Sequence, residues 1–245
     1  MKIIVDNLAT EYLDEGTGPV ILMLHGWWRD HSDFDKISEI LKNHFRIIRL
    51  DLPGFRGTEM PQAVWKVADY AIFVQRFLDK LQVKPKFVLG HSFGGRIIIK
   101  NHFGAEKIIL ISAAGLKTGG FRKKIFMIFA KIGDLATLIP PLIFARKKLK
   151  TKFYQLIGSD YLDSGEMKEI FKAVVEEDLS LFANNIQTPT LLIWGESDFV
   201  TPLDQARTLS KLIKNSELKI IKDAGHLSFL EKPNEIAEII KEFLK

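Results

Sequence analysis

The segment LGHSFGG (Leu89–Gly95) places one serine, Ser92, between glycines two positions to either side. A serine hydroxyl becomes a nucleophile near neutral pH only when a base takes its proton. Of the six histidines, His226 in DAGHLSFLEKP is the candidate base, because it follows the last expected strand. His25 and His91 sit in two strand-end motifs beside the serine, and His31, His44 and His102 read as surface or packing residues on or near helices. A carboxylate must hold the imidazole in one tautomer and balance its charge. WGESD offers Asp198, 28 residues before His226; Glu196 competes, but it directly follows Gly195 and reads as a turn-capping or outward-pointing group. Acyl transfer also needs two N–H donors for the developing oxyanion. The amide of Phe93, next after Ser92, is one candidate; the amide of Trp27 in HGWW (His25–Trp28) is the other, with Gly26 permitting close backbone approach. The Trp27 and Trp28 side chains also read as apolar packing. With no cysteine in the chain, a thiol nucleophile, thiolate metal ligation and disulfides are excluded.

These residues need a scaffold that brings distant segments to one edge. Runs of apolar, often β-branched residues end in Gly, Asp or Ser at Val20–Gly26, Phe45–Asp51, Lys86–Ser92, Lys107–Ser112, Thr190–Gly195 and Leu218–Asp223. Near-continuous apolar strands imply a sheet covered on both faces, hence parallel pairing. Lys2–Val5 and Glu11–Asp14 suggest an antiparallel edge pair. Helical periodicity appears in Ser32–Asn43, Val67–Leu81 and Gly94–Phe103, and Pro202 and Pro233 open two more helices, to Ile213 and Leu244. Strands alternating with helices specify an α/β fold with a mostly parallel sheet flanked by helices. The rhythm breaks between Leu116 and Asn185, where helices alone are expected over Phe121–Ile132, Leu135–Lys150 and Ser164–Phe182. Residues 1–115 and 186–245 therefore read as the core and 116–185 as an inserted helical cap over the sheet's C-terminal edge, where ligands bind in such sheets.

The chain has 245 residues, 47% hydrophobic and 27% charged, which excludes disorder and suits one domain plus an insertion. No run of about 18 uncharged apolar residues is present, so no transmembrane segment is expected. The apolar run near Met1 is too short for a secretory signal, and a cytoplasmic location is the expectation.

Together, EGTGPVILMLHGW, DLPGF, LGHSFGG, LLIWGESDFVTP and AGHLSFLEKP occur in the order and approximate spacing of the α/β-hydrolase family, which the chain resembles from Tyr12 to Phe243. The pattern is similar to small serine carboxylesterases with a helical cap, including the methyl esterases of biotin synthesis. That resemblance implies a Ser92–His226–Asp198 triad, an oxyanion hole from the Trp27 and Phe93 amides, an acyl-enzyme mechanism on carboxylic esters, and no metal or organic cofactor. Trp28, Phe199 and Leu227 are expected to contact a medium-size apolar acyl or aryl group. Epoxide hydrolases and haloalkane dehalogenases share the pattern but attack with a carboxylate where Ser92 stands. Carbon–carbon bond hydrolases carry a Trp after the catalytic histidine, where this chain has Leu227. The family also places a glycine two residues after Gly54; this chain has Arg56 there, either a solvated turn residue or a substrate-contacting lip. Thioesterase, C–C bond hydrolase and cofactor-free perhydrolase chemistry remain compatible, as does a non-catalytic ligand receptor on the same fold.

Lys117–Lys152 contains ten cations and one anion, Asp134, giving +9 against −4 for the rest of the chain. An amphipathic cap with solvated cations explains this, and so does a surface for an acidic carrier protein or anionic lipid presenting the ester. No nucleic-acid motif accompanies the charge.

Overall fold

The computed structural model describes residues 1–116 and 167–245. Eight strands form one sheet: β1 (Lys2–Val5), β2 (Leu8–Glu15), β3 (Val20–Leu24), β4 (Arg46–Leu50), β5 (Phe87–His91), β6 (Lys107–Ile111), β7 (Thr190–Gly195) and β8 (Ser216–Ile221), in the order β1-β2-β4-β3-β5-β6-β7-β8. From β4 to β8 every pairing is parallel, while β1 and β2 add the expected antiparallel edge. The described helices are α1 (Asp35–Leu41), α2 (Val67–Leu81), α3 (Phe93–Lys100), α4 (Lys168–Glu176), α5 (Ser180–Asn184), α6 (Leu203–Leu212), α7 (Ser228–Glu231) and α8 (Pro233–Leu244). A 3₁₀ turn at His31–Phe34, capped by Asp30 through the Ser32 amide, precedes α1, so the single helix expected over Ser32–Asn43 is two pieces, divided at Phe34 (φ −91°, ψ 5°).

Side chains alternate across the central strands, and the two sets form two cores. Leu22, Leu24, Ile48, Val88, Ile108, Leu110, Leu192 and Trp194 pack with residues of α2, α3 and α6. Ile21, Met23, Ile47, Leu89, Ile109, Ile111, Leu191 and Ile193 pack with α1 and α8. This period-two division is what a sheet covered on both faces demands, and it explains why the inner strands read as unbroken apolar runs. The edge strand β8 departs from this: of its six residues only Ile221 is buried.

The expected insertion falls between β6 and β7. The helices anticipated at Phe121–Ile132 and Leu135–Lys150, and the basic segment Lys117–Lys152, lie outside the described residues. The helix expected over Ser164–Phe182 is described from Met167 onward and is interrupted. α4 ends at Glu176, Glu177 turns extended (ψ 123°), and the Asp178 side chain accepts the Ser180 amide (3.0 Å) to start α5. Arg96 of α3 takes the carbonyls of Val174 and Glu177, both at 2.6 Å, satisfying the end of α4 with a side chain instead of further helix. Met167, Ile170, Val174 and Leu179 are buried in the same core as α3.

Candidate active site

The C-terminal ends of β3, β5, β7 and β8 deliver the candidate residues to one rim of the sheet. Ser92 lies between β5 and α3 with φ 47° and ψ −104°, a left-handed backbone that few non-glycine residues adopt. The flanking glycines make this turn possible. A Cβ on Gly90 would sit 2.6 Å from the Gly94 carbonyl carbon, and one on Gly94 would sit 2.1 Å from the Leu24 carbonyl oxygen. Gly26 likewise backs onto the elbow, since a Cβ there would meet His91 Nδ1 at 2.7 Å and Ser92 Cβ at 3.4 Å.

Asp198 and His226 meet directly: His226 Nδ1 lies 2.9 Å from Asp198 Oδ2. The Asp198 carboxylate is buried and fully engaged. Its Oδ1 accepts the amides of Val200 and Thr201 (2.9 Å each), and its Oδ2 also accepts the Thr201 hydroxyl (2.8 Å). Burial pushes its pKa up, but the hydrogen bond and charge of His226 and the Thr201 amide outweigh that and hold it below the usual carboxylate value. The competing Glu196 is exposed and accepts the Asp223 amide, away from the imidazole. The loops after β7 and β8 touch closely. The Ser197 amide donates to Ala224 O (2.9 Å), and a Cβ on Gly195 would be 2.2 Å from Gly225 O.

His226 is held against the serine turn by His91, the residue before Ser92. His91 Nε2 lies 3.1 Å from the His226 carbonyl, and the two rings sit 4.8 Å apart. That carbonyl can only accept, so His91 carries its proton on Nε2. Burial and the neighbouring His226 hold its pKa well below the ordinary histidine value, and the ring is neutral. Ser92 and His226 form no mutual hydrogen bond. Such bonds commonly close only once substrate is bound.

Ser92, Trp27 and Phe93 line one cavity, of about 210 Å³ as bounded by the described residues, together with Arg96, Phe171 and Thr201 among others. The Trp27 and Phe93 amides donate no hydrogen bond among the described residues; Phe93 is the first residue of α3, where amides lack intrahelical acceptors. His25 pins the Trp27 loop. Its Nε2 accepts the Leu52 amide (2.9 Å), which places the proton on Nδ1, 2.7 Å from Gly26 O. Burial lowers the His25 pKa and keeps it neutral.

Trp28, Phe199 and Leu227 are not among the residues lining this cavity. Trp28 (41% exposed) and Phe199 (78% exposed) point outward, and Leu227 packs toward the core under α8. Among the described residues the apolar wall is Trp27, Phe93, Leu116, Phe171, Val174 and Val175, several of them contributed by α4. Thr201 and Arg96 escaped sequence reasoning. A threonine after the acid and an arginine one turn into a helix carry no local signal of their contacts. Arg56 is a turn residue at φ 39°, exposed and paired with Asp30 (2.6 Å). It occupies in left-handed backbone the position where the family places glycine.

Asp30, His31 and Asp51 bring potential metal-ligand atoms within 4.8 Å of one another. Each already has protein partners: His31 Nδ1 bonds Asp51 Oδ1 (2.6 Å), Asp51 Oδ2 accepts the Gly57 amide (3.0 Å), and Asp30 takes Arg56. The cluster braces the loops after β3 and β4. Among the described residues no helix is long and apolar enough to cross a membrane.

Comparison with known proteins agrees with this fold. The chain is 32% identical over 258 residues to the AB hydrolase superfamily protein YisY of Bacillus subtilis (strain 168), covering 94% of this chain and 93% of that protein. It is 23% identical to the monoacylglycerol lipase abhd6-B of Xenopus laevis, covering 94% of this chain and 76% of that protein. Its fold superposes on the crystal structure of a membrane phospholipase A, described as a bacterial virulence factor, with a TM-score of 0.77 and 25% identity over all of this chain and 84% of the other. With the alpha/beta hydrolase family profile matching residues 21–239, the chain belongs to that family and is a hydrolase by descent.

Proposed function

We propose that this protein is a serine hydrolase that cleaves carboxylic esters through an acyl-enzyme. Ser92 Oγ attacks the ester carbonyl as His226 Nε2 takes its proton, and the Trp27 and Phe93 amides receive the oxyanion. His226 returns the proton to the leaving alcohol, so the bond to the alcohol oxygen breaks and Ser92 holds the acyl group. Water then attacks that ester with His226 as base, releasing the acid and restoring Ser92. Asp198 stays ionised and orients His226 throughout. The observation that carries this reading is the 2.9 Å Asp198–His226 hydrogen bond, set beside a strained serine that opens on a cavity lined by Trp27 and Phe93, whose amides donate no hydrogen bond among the described residues.

Several features bear on the ester. The lipase and phospholipase names of the relatives support an ester substrate, and the apolar wall supports an uncharged acyl chain next to the carbonyl. Residues 116–185 act as the cap, and its basic segment offers a surface to an acidic carrier protein or anionic lipid. A fluorophosphonate probe should label the protein at Ser92, and Ser92→Ala should abolish both labelling and hydrolysis of a chain-length panel of p-nitrophenyl esters. Folded protein that resists the probe would instead support a ligand receptor.

A further inference from the structure

We propose that Arg96 makes the Ser92 cavity selective for esters whose acyl chain ends in a carboxylate, that is, for monoesters of short dicarboxylic acids. The inference deepens the esterase reading and rests on it. Arg96 is 5% exposed and lines the cavity, one helical turn beyond Ser92, with its amide donating to Ser92 O at 3.2 Å. A guanidinium carries five N–H donors. Nη2 uses its two on the carbonyls of Val174 and Glu177. Nε is sealed from solvent with no acceptor, and Nη1 makes no hydrogen bond among the described residues.

The charge has no direct ion pair among the described residues, although Glu177 and Asp178 both favour it electrostatically. The nearest acid on α4's end, Glu177, gives its carboxylate to Lys100 (2.7 Å), and no carboxylate among the described residues forms an ion pair with Arg96. Burial lowers the Arg96 pKa to about 10, so the group remains a cation at neutral pH. A second donor of the same wall, Trp27 Nε1, is likewise buried without an acceptor. Clamping α4 by two carbonyls accounts for the position of Arg96 but leaves three of its donors idle. Buried cations are costly unless paired, and unmet buried donors in native proteins are few. A carboxylate at the far end of an acyl chain supplies acceptors to the free donors of Arg96, while Phe93, Leu116, Phe171 and Val174 cover the methylenes between it and the carbonyl.

The test compares p-nitrophenyl hexanoate with mono-p-nitrophenyl adipate, which differ only in the terminal carboxylate. We expect kcat/KM of the wild type to favour the adipate ester. In Arg96→Met that preference should fall about tenfold or more, as loss of a charge-assisted hydrogen bond requires, with partial retention in Arg96→Lys. If Arg96 only clamps α4, both esters slow by one factor in each variant and the ratio stays fixed; that result overturns the proposal. Should the wild type hydrolyse neither ester, the esterase reading fails, and calorimetry of Ser92→Ala with monomethyl adipate and methyl hexanoate decides the subsite separately. Tighter binding of the adipate ester that vanishes in Ser92→Ala/Arg96→Met sustains it, and equal affinity refutes it.

Discussion

Asp198 takes four hydrogen bonds in a buried pocket, so its carboxylate is positioned and ionised before any substrate arrives. Replacing it by Asn keeps the size but removes the charge and can present an N–H to His226 Nδ1, favouring the wrong tautomer. For Asp198→Asn we expect kcat on a p-nitrophenyl ester to fall by ~10³–10⁴ with KM little changed. A loss below tenfold would mean that this carboxylate does not orient the base. Ser92, Asp198 and His226 are singled out by the sequence because each stands in a short motif at a strand end, and the fold brings Asp198 and His226 into hydrogen bond. Thr201 was not, because its hydroxyl bonds Asp198 and the Ser112 carbonyl (3.1 Å), a contact made across 89 residues. Arg96 was hidden for the same reason, its partners lying about 80 residues away on a segment whose contacts no local pattern encodes.

Among the elements, the turn from β5 into α3 is both strained and tightly packed. The Gly94 amide donates to His25 O (3.0 Å), while the position of its missing Cβ overlaps the end of β3. Both obstructing atoms are backbone, so no side chain can swing aside. Gly94→Ala should therefore cost on the order of 1–3 kcal/mol, lowering Tm by roughly 3–10 °C and suppressing fluorophosphonate labelling. An unchanged Tm with full labelling would show the turn to be looser than its geometry. Strand and helix positions followed from periodicity to within one or two residues over most of the core. The exceptions have physical causes. Asp178 caps a new turn, and a 3₁₀ turn gives way to α1 at Phe34, within stretches whose apolar spacing reads as one helix, so pattern alone joins what hydrogen bonds divide.

Over the whole molecule, two neutral histidines brace the loops that form the site. His25 and His91 are buried and their pKa values are lowered, His25 by burial and His91 by burial and the adjacent His226. For such groups the unfolded chain binds the proton first. Their contribution to stability is intact above the unfolded value of about 6.5 and is lost as pH falls below it. His31 has the opposite sign: its bond to Asp51 raises its pKa, so its contribution is full below about 6.5 and fades as pH rises through the folded value. Two fully enclosed rings outweigh one partly open pair. Tm is expected to fall by several degrees between pH 7.5 and pH 5, where 1 kcal/mol corresponds to about 2–4 °C. A Tm that rises over that interval would assign control to His31 instead.

The amino-acid sequence by itself determined the order of strands and helices along the chain, the antiparallel edge, and the motifs from which the proposed serine, histidine and aspartate come. Those features are encoded locally, in periodicity, in glycines that only a tight turn needs, and in motif order along the chain. Only the tertiary structure decided that the described lining of the cavity includes Trp27, Phe93, Arg96 and Phe171 but not Trp28, Phe199 or Leu227, that Asp198 reaches the imidazole while Glu196 is exposed, and that Arg96 is buried beside Ser92. Side-chain direction and charge pairing depend on which segments meet across the fold, and a linear chain does not carry that information residue by residue.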